Sequence, residues 1–189
     1  LDANQTFHLS LLRGLGYDFA GNNGTGLMAE FTLIIGNKNY SSWSLRAWLV
    51  MKHTGAAFDE VVIPLDLPDT GKAIKCHSAA GRVPVLRHGE RTIWDSLAIA
   101  EYLAEQFPDL GLWPEDIEAR AMARAACSEM HAGFMALREH LPMDLRARHM
   151  HADIPPDVIK DITRINDIWT DCRRQYSAGG PFLFGDFTI

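Results

Sequence analysis

The sequence is short of several things, and each shortage closes off a class of function. It has 3 cysteines in 189 residues. Cys76, Cys127 and Cys172 are odd in number and far apart, so they form neither a CxxC redox pair nor a zinc-ligand spacing. Free thiols in a reducing cytoplasm are the simplest reading. The 8 histidines are scattered, with His149 and His151 the nearest pair, and no metal site is expected. No apolar run approaches the roughly 20 residues of a membrane-spanning helix. No block of basic residues interrupts the formal net charge of −6, which argues against a nucleic-acid surface. Short basic clusters such as Arg146 with Arg148, and Arg173 with Arg174, read as solvated helix faces.

What is present is an ordinary globular composition, 47% hydrophobic and 22% charged, with room for one large or two small domains. Residues 1–30 differ in character from the rest. Gly21-Asn22-Asn23-Gly24-Thr25-Gly26 is poorly suited to regular structure, and Met28 stands just before the first apolar run. This stretch is expected to be a disordered or artefactual extension, with the natural start at Met28.

From Phe31 the pattern is regular. Phe31–Ile35 reads as a buried strand and 42–54 as a helix with Trp43, Ala47, Val50 and Met51 at helical spacing. Phe58–Ile63 reads as a second strand ended by Pro64, and 67–76 as a short helix or irregular segment. Two runs around His88-Gly89-Glu90 predict an antiparallel hairpin. Pro84 at its entrance is a candidate cis bond that would turn the Val83 amide outward, free to pair with an extended peptide. Asp95-Ser96 then caps a helix over 97–107. The order β-α-β-(α)-β-β-α makes a compact two-layer unit.

Residues 108–114, with two prolines and a glycine, read as a linker. The remainder, 115–189, is all helical. One long helix is expected over 115–141, with Ile117, Ala121, Ala125, Met130, Phe134, Leu137 and Leu141 as its apolar stripe. Another opens at Pro155-Pro156, with Val158, Ile162, Ile165, Trp169, Cys172 and Tyr176 on one face. Thr188 has the character of an N-cap at the end of the chain, so further sequence is expected beyond Ile189.

The chemistry centres on Asn37–Leu49, where a loop with Ser41 and Ser42 opens a helix directly after a strand. Free N–H groups and the dipole favour an anion there, and a hydroxyl can hydrogen-bond a thiol and favour its ionised form. Plain N-capping explains a serine at this place equally well.

Four motifs occur in a fixed order: S-S-W-S-L-R at 41–46, G-R-V-P-V-L at 81–86, W-D-S-L-A-I-A-E-Y-L at 94–103 and F-L-F-G-D-F-T-I at 182–189. Together they resemble the cytosolic glutathione transferase family, in its serine-type zeta and theta classes. The resemblance implies an α/β thioredoxin-like N-terminal domain over 31–107 and an all-α helical-bundle C-terminal domain over 115–189, incomplete at its end. It implies a homodimer that uses glutathione as co-substrate and attacks an electrophilic small molecule. Counting back from Arg46 makes Ser41 the thiol-activating hydroxyl, with Ser42 in reserve. Arg82, Val83, Pro84, Asp95 and Ser96 would hold glutathione, and Tyr40, Met130 and Phe134 would line the electrophile pocket. Trp43 stands where zeta-like members carry cysteine, so a zeta-like isomerase remains an alternative, as does a non-enzymatic binding module on the same fold.

Overall fold

The structure, a computed structural model, describes residues 29–148 and 153–189. The extension expected over 1–30 lies almost wholly outside the described residues. Strand β1 (Phe31–Ile35) is a β-branched and aromatic run that stops at Gly36, and Leu33, Ile34 and Ile35 are wholly buried. Helix α1 (Ser42–His53) follows, with Ser41 as N-cap and Lys52 and His53 in the last turn, where the dipole favours positive charge. Strand β2 (Phe58–Val62) returns parallel to β1, in register from Phe31 opposite Phe58 to Ile35 opposite Val62. Helix α2 (Thr70–Lys75) is a short surface turn. Strands β3 (Val85–His88) and β4 (Arg91–Trp94) form the hairpin, and β3 pairs antiparallel with β1. The sheet order is β2-β1-β3-β4.

Helix α3 (Ser96–Gln106) packs beside α1 on one face of this sheet. Ala47, Val50 and Met51 from α1 meet Ile99, Ala100 and Leu103 from α3 over Leu33, Ile35 and Leu86. A smaller cluster on the other face joins Ile34, Ile63, Ile74 and Val85. Trp43, expected in the core stripe of α1, is only half-buried and serves polar neighbours described below.

The segment read as a linker contains a one-turn 3₁₀ helix at Pro108–Leu110, closed by Gly111 at φ 58°. Leu112 beyond it is buried, and its carbonyl accepts the Ile189 N–H at 2.9 Å. The single long helix expected over 115–141 is instead two. Helix α4 (Ile117–Ala132) stops at Gly133, and α5 (Met135–His140) restarts after Phe134, which sits in the left-handed region at φ 63°. The break is held by Arg138, whose guanidinium donates to the carbonyls of Met130 and Gly133 that the interruption leaves free. The apolar stripe of α4 is also rotated from expectation. Ala119 and Ala123 are its buried residues, whereas Ile117 is 72% exposed and Ala121 and Ala125 lie outside. Alanines dominate both faces of this helix, so side-chain size gives little contrast between them. Helix α6 (Pro156–Tyr176) follows the expected range and buries Val158, Ile165 and Cys172. Arg164 forms a two-pronged pair with Glu129 at 2.7 and 2.8 Å, tying α6 to α4. Trp169, expected on the same stripe, is 48% exposed.

Candidate active site

Three chain segments meet at one end of the sheet because of its register. β1 runs into the Gly36–Ser41 loop. The β1–β3 pairing ends at Ile34 opposite Val85, so Pro84 and Val83 leave the sheet beside the loop that leads to α1. The β3–β4 pairing ends at Val85 opposite Trp94, which delivers Asp95 and Ser96 to the same end. The sequence-predicted residues Ser41, Val83, Pro84, Asp95 and Ser96 are thus gathered by topology alone.

Ser41 is buried and caps α1, accepting the Ser44 N–H at 3.4 Å. Its Oγ also lies 2.9 Å from Ser44 Oγ, and Ser44 Oγ accepts the Gly36 N–H at 2.9 Å. Ser44, which the count from Arg46 puts at the second cysteine's place of a thioredoxin-like start without giving it a role, is therefore part of the cluster around Ser41. Its signal was its place three residues after the cap. Ser42, at the first position of the helix, is half-buried.

The Val83–Pro84 bond is cis, as expected from the sequence. Pro84 is buried, Val83 is half-buried, and among the described residues neither takes part in a backbone hydrogen bond outside the sheet. Arg82 is exposed.

Asp95 has φ 79° and ψ 133°, a combination that side-chain-bearing residues seldom adopt and that is often found at functional sites. Two contacts secure it: its carboxylate accepts the Leu97 N–H at 2.9 Å and lies 3.2 Å from His131 Nε2 on α4. Ser96 is 4% exposed, and its Oγ has no hydrogen-bond partner among the described residues. A buried hydroxyl without a partner at a helix N-terminus is a donor site for an incoming carboxylate.

A polar cluster joins the sheet-bearing part to the helices. The Trp43 ring has the guanidinium of Arg46 at 4.5 Å and that of Arg138 at 4.7 Å, with His131 edge-on at 5.1 Å. Burial lowers the pKa of Arg46, and the nearby Arg138 pushes it the same way. Cys127 is driven the other way: burial raises its thiol pKa, against the opposing pull of Arg46. Next to this cluster, a cavity of about 340 Å³ runs between α1, α3, α4, α6 and the 182–189 segment. Met130 lines it together with Arg46, Ser96 and Trp169, but Tyr40 and Phe134 do not. Tyr40 is 38% exposed on the loop before Ser41, and Phe134 is buried in the α4–α5 break. The three residues expected to share the electrophile pocket are thus in different settings. Asn39 fastens the Tyr40 loop from its other side, donating to Asp144 at 2.8 Å while its carbonyl accepts the Leu145 N–H.

This arrangement matches known proteins. The family model "Glutathione S-transferase, N-terminal domain" matches residues 40–106, from the Tyr40 loop to the end of α3. A Caenorhabditis elegans protein named "Probable maleylacetoacetate isomerase" is 32% identical over 152 residues, covering 78% of this chain and 70% of that protein. The chain belongs to the cytosolic glutathione transferase family. Arabidopsis thaliana glutathione S-transferase Z2 is 27% identical over 162 residues, 80% of this chain and 73% of its own length. Among solved structures, a glutathione transferase homolog from Burkholderia with bound glutathione superposes with a TM-score of 0.60 at 26% identity, over 84% of this chain and 73% of that one. The thioredoxin-like sheet unit followed by helices is the architecture of these transferases.

Proposed function

We propose that this glutathione transferase holds glutathione across the sheet end formed by Val83, Pro84, Asp95 and Ser96, and activates its thiol with the Ser41 hydroxyl. The observation that carries the reading is the buried, unpartnered Ser96 Oγ at the start of α3, beside the strained Asp95. The γ-glutamyl end of glutathione carries a carboxylate for Ser96 and the helix N-terminus, and an ammonium for Asp95. Val83 supplies main-chain groups to the cysteinyl portion, as in strand addition, and Arg82 lies within the same loop for the glycyl carboxylate. A hydroxyl donating to sulfur stabilises the thiolate, which is the nucleophile toward an electrophilic small molecule. The electrophile docks on the helical side, in the cavity that Met130 lines beside Arg46 and Ser96. Cytoplasmic location and a homodimer complete the reading; among the described residues no helix is long and apolar enough to cross a membrane.

A second reading, glutathione-dependent isomerisation, is favoured by the likeness to the protein named maleylacetoacetate isomerase. Trp43, with the Arg46 and Arg138 guanidiniums over its ring, stands where zeta-like members carry cysteine and argues for conjugation.

The test is glutathione binding by calorimetry, with conjugation of an aryl halide and isomerisation of a maleyl diketone measured side by side. Ser41→Ala should lower kcat/KM by about 10²-fold or more, as for loss of one preorganised donor, with a smaller change in glutathione affinity. A silent Ser41→Ala with a defective Ser42→Ala moves the role to Ser42. Failure to bind glutathione sinks the reading, and binding without turnover leaves a binding module.

A further inference from the structure

Ser44 is 2% exposed, and among the described residues its hydroxyl hydrogen-bonds only with Ser41 and Gly36. The hydrogens there can be counted. Gly36 N–H goes to Ser44 Oγ, and Ser44 N–H goes to Ser41 Oγ. Two hydroxyl protons remain, and one contact, Ser41 Oγ to Ser44 Oγ at 2.9 Å, can absorb only one of them. One proton is therefore left over. If Ser41 donates, the surplus proton lies on Ser44, the more deeply buried of the two, with no acceptor among the described residues. If Ser44 donates, the surplus lies on Ser41, the less buried of the two at 7% exposed, where the loop from β1 enters α1. Stranding an unpaired donor in the interior is unfavourable, so the second arrangement prevails. The direction then runs from Gly36 N–H to Ser44, from Ser44 to Ser41, and from Ser41 outward. Each donor in such a chain polarises the next.

We propose that Ser44 is a positioning residue that turns the Ser41 hydroxyl proton toward the ligand sulfur and strengthens it as a donor. This rests on the reading of Ser41 as the thiol-activating group. It explains why the serine of this motif stands on a second serine that reaches back to the strand, and it assigns a role to Gly36, whose N–H anchors the chain. Gly36 is itself constrained, because a Cβ there would lie 2.6 Å from the Leu65 side chain.

The experiment titrates the ultraviolet thiolate absorbance of bound glutathione on the full chain. The series is wild type, Ser41→Ala, Ser44→Ala, Ser44→Thr, Ser44→Cys and the Ser41→Ala/Ser44→Ala double variant, with thermal unfolding recorded alongside. Ser44→Ala should cut the thiolate fraction at neutral pH by about threefold to tenfold, the scale of weakening one hydrogen bond. Ser44→Thr, which keeps the hydroxyl, should restore it. In the double variant the Ser44 change should add nothing to that of Ser41. If Ser44→Ala does not fold, Ser44→Cys, with a weaker donor of similar shape, should show the same direction of shift. An unchanged titration in Ser44→Ala or its Cys substitute, with a displaced one in Ser41→Ala, overturns the positioning role and leaves Ser41 in place. Independent, additive effects also overturn it. An unmoved titration in Ser41→Ala removes the thiol-activating assignment, and the Ser44 role falls with it.

Discussion

The sheet-bearing part and the helical part bury their apolar residues very differently. In the first, Leu33, Ile34, Ile35, Ala47, Met51, Val85, Leu86, Ile99 and Leu103 all reach 0% exposure. In α4, α5 and α6 only Val158 does, while Ile117, Met135, Ile159 and Trp169 remain 72, 67, 52 and 48% exposed. The first part has a closed core with side chains from sheet and helices interlocked, and Leu112, Phe187 and Ile189 pack against it. The second is held by specific joints: the Glu129–Arg164 pair, the Arg138 clasp at the α4–α5 break and the Trp43 stack against two arginines. The candidate site sits on the closed part, so the elements proposed to hold glutathione are placed by a buried core, and the side proposed to receive electrophiles is built on fewer buried contacts.

The sharpest way to break this contrast is to empty one side chain from each part. Leu103→Ala removes a wholly buried side chain that packs with Leu33, Met51 and Leu86. It should destabilise by about 2–5 kcal/mol, enough to unfold a marginal domain. Ile117→Ala removes a side chain that is 72% exposed and should change stability by less than about 0.5 kcal/mol. Urea unfolding of both variants checks the pair. Equal losses would mean that the two parts share one core.

A smaller effect is expected at the joint between α4 and α5. A Cβ on Gly133 would lie 2.9 Å from the Glu129 carbonyl oxygen, the same oxygen that accepts the Gly133 N–H at 2.8 Å. Gly133→Ala must therefore open that turn or shift Phe134, with a loss of about 1–3 kcal/mol, typical of overpacking. Its signature is local: hydrogen exchange should speed up in α5 and at the Arg138 clasp while the sheet stays protected. Uniform loosening of both parts would show that the break is not an independent joint.

The same contrast decided what could be read in advance. In the sheet-bearing part, period and punctuation agree: β-branched runs, Gly36, Pro64, the His88-Gly89-Glu90 turn and Asp95-Ser96 each mark one boundary. The cis bond at Pro84 was legible because proline alone makes it accessible. The helical part carried weaker signals. Helix α4 is rich in alanine on both faces, so its buried side was read two positions off, and Gly133 was outweighed by an apolar pattern running past it. Phe134 in the left-handed region has no sequence signature, since glycine and asparagine are the usual residues there. Ser44 was placed but given no role for another reason: a serine inside a helix looks like a neutral surface residue until its partner just past β1, the Gly36 N–H, is seen.

The smallest expected effect concerns the thiols at the joints. Cys172 is 1% exposed within the helical part, and burial raises its pKa, with Asp171 adding to the shift. Burial likewise raises that of Cys127, beside the Trp43 stack. A thiol whose pKa is higher folded than unfolded holds its proton more tightly in the native state. Its contribution to stability is complete below the ordinary thiol pKa and is lost as pH rises through that value toward the folded one. The loss should appear as an alkaline fall in unfolding temperature that Cys127→Ser and Cys172→Ser each reduce. Alkylation adds a second readout. Exposed Cys76 should be modified first by iodoacetamide at mildly alkaline pH, with Cys127 and Cys172 following slowly. Arg46→Met should slow Cys127 further, because the guanidinium is what pulls its pKa back down. If Cys172 reacted as fast as Cys76, the helical part would be opening on the timescale of the reagent, and its joints would be weaker than their geometry implies.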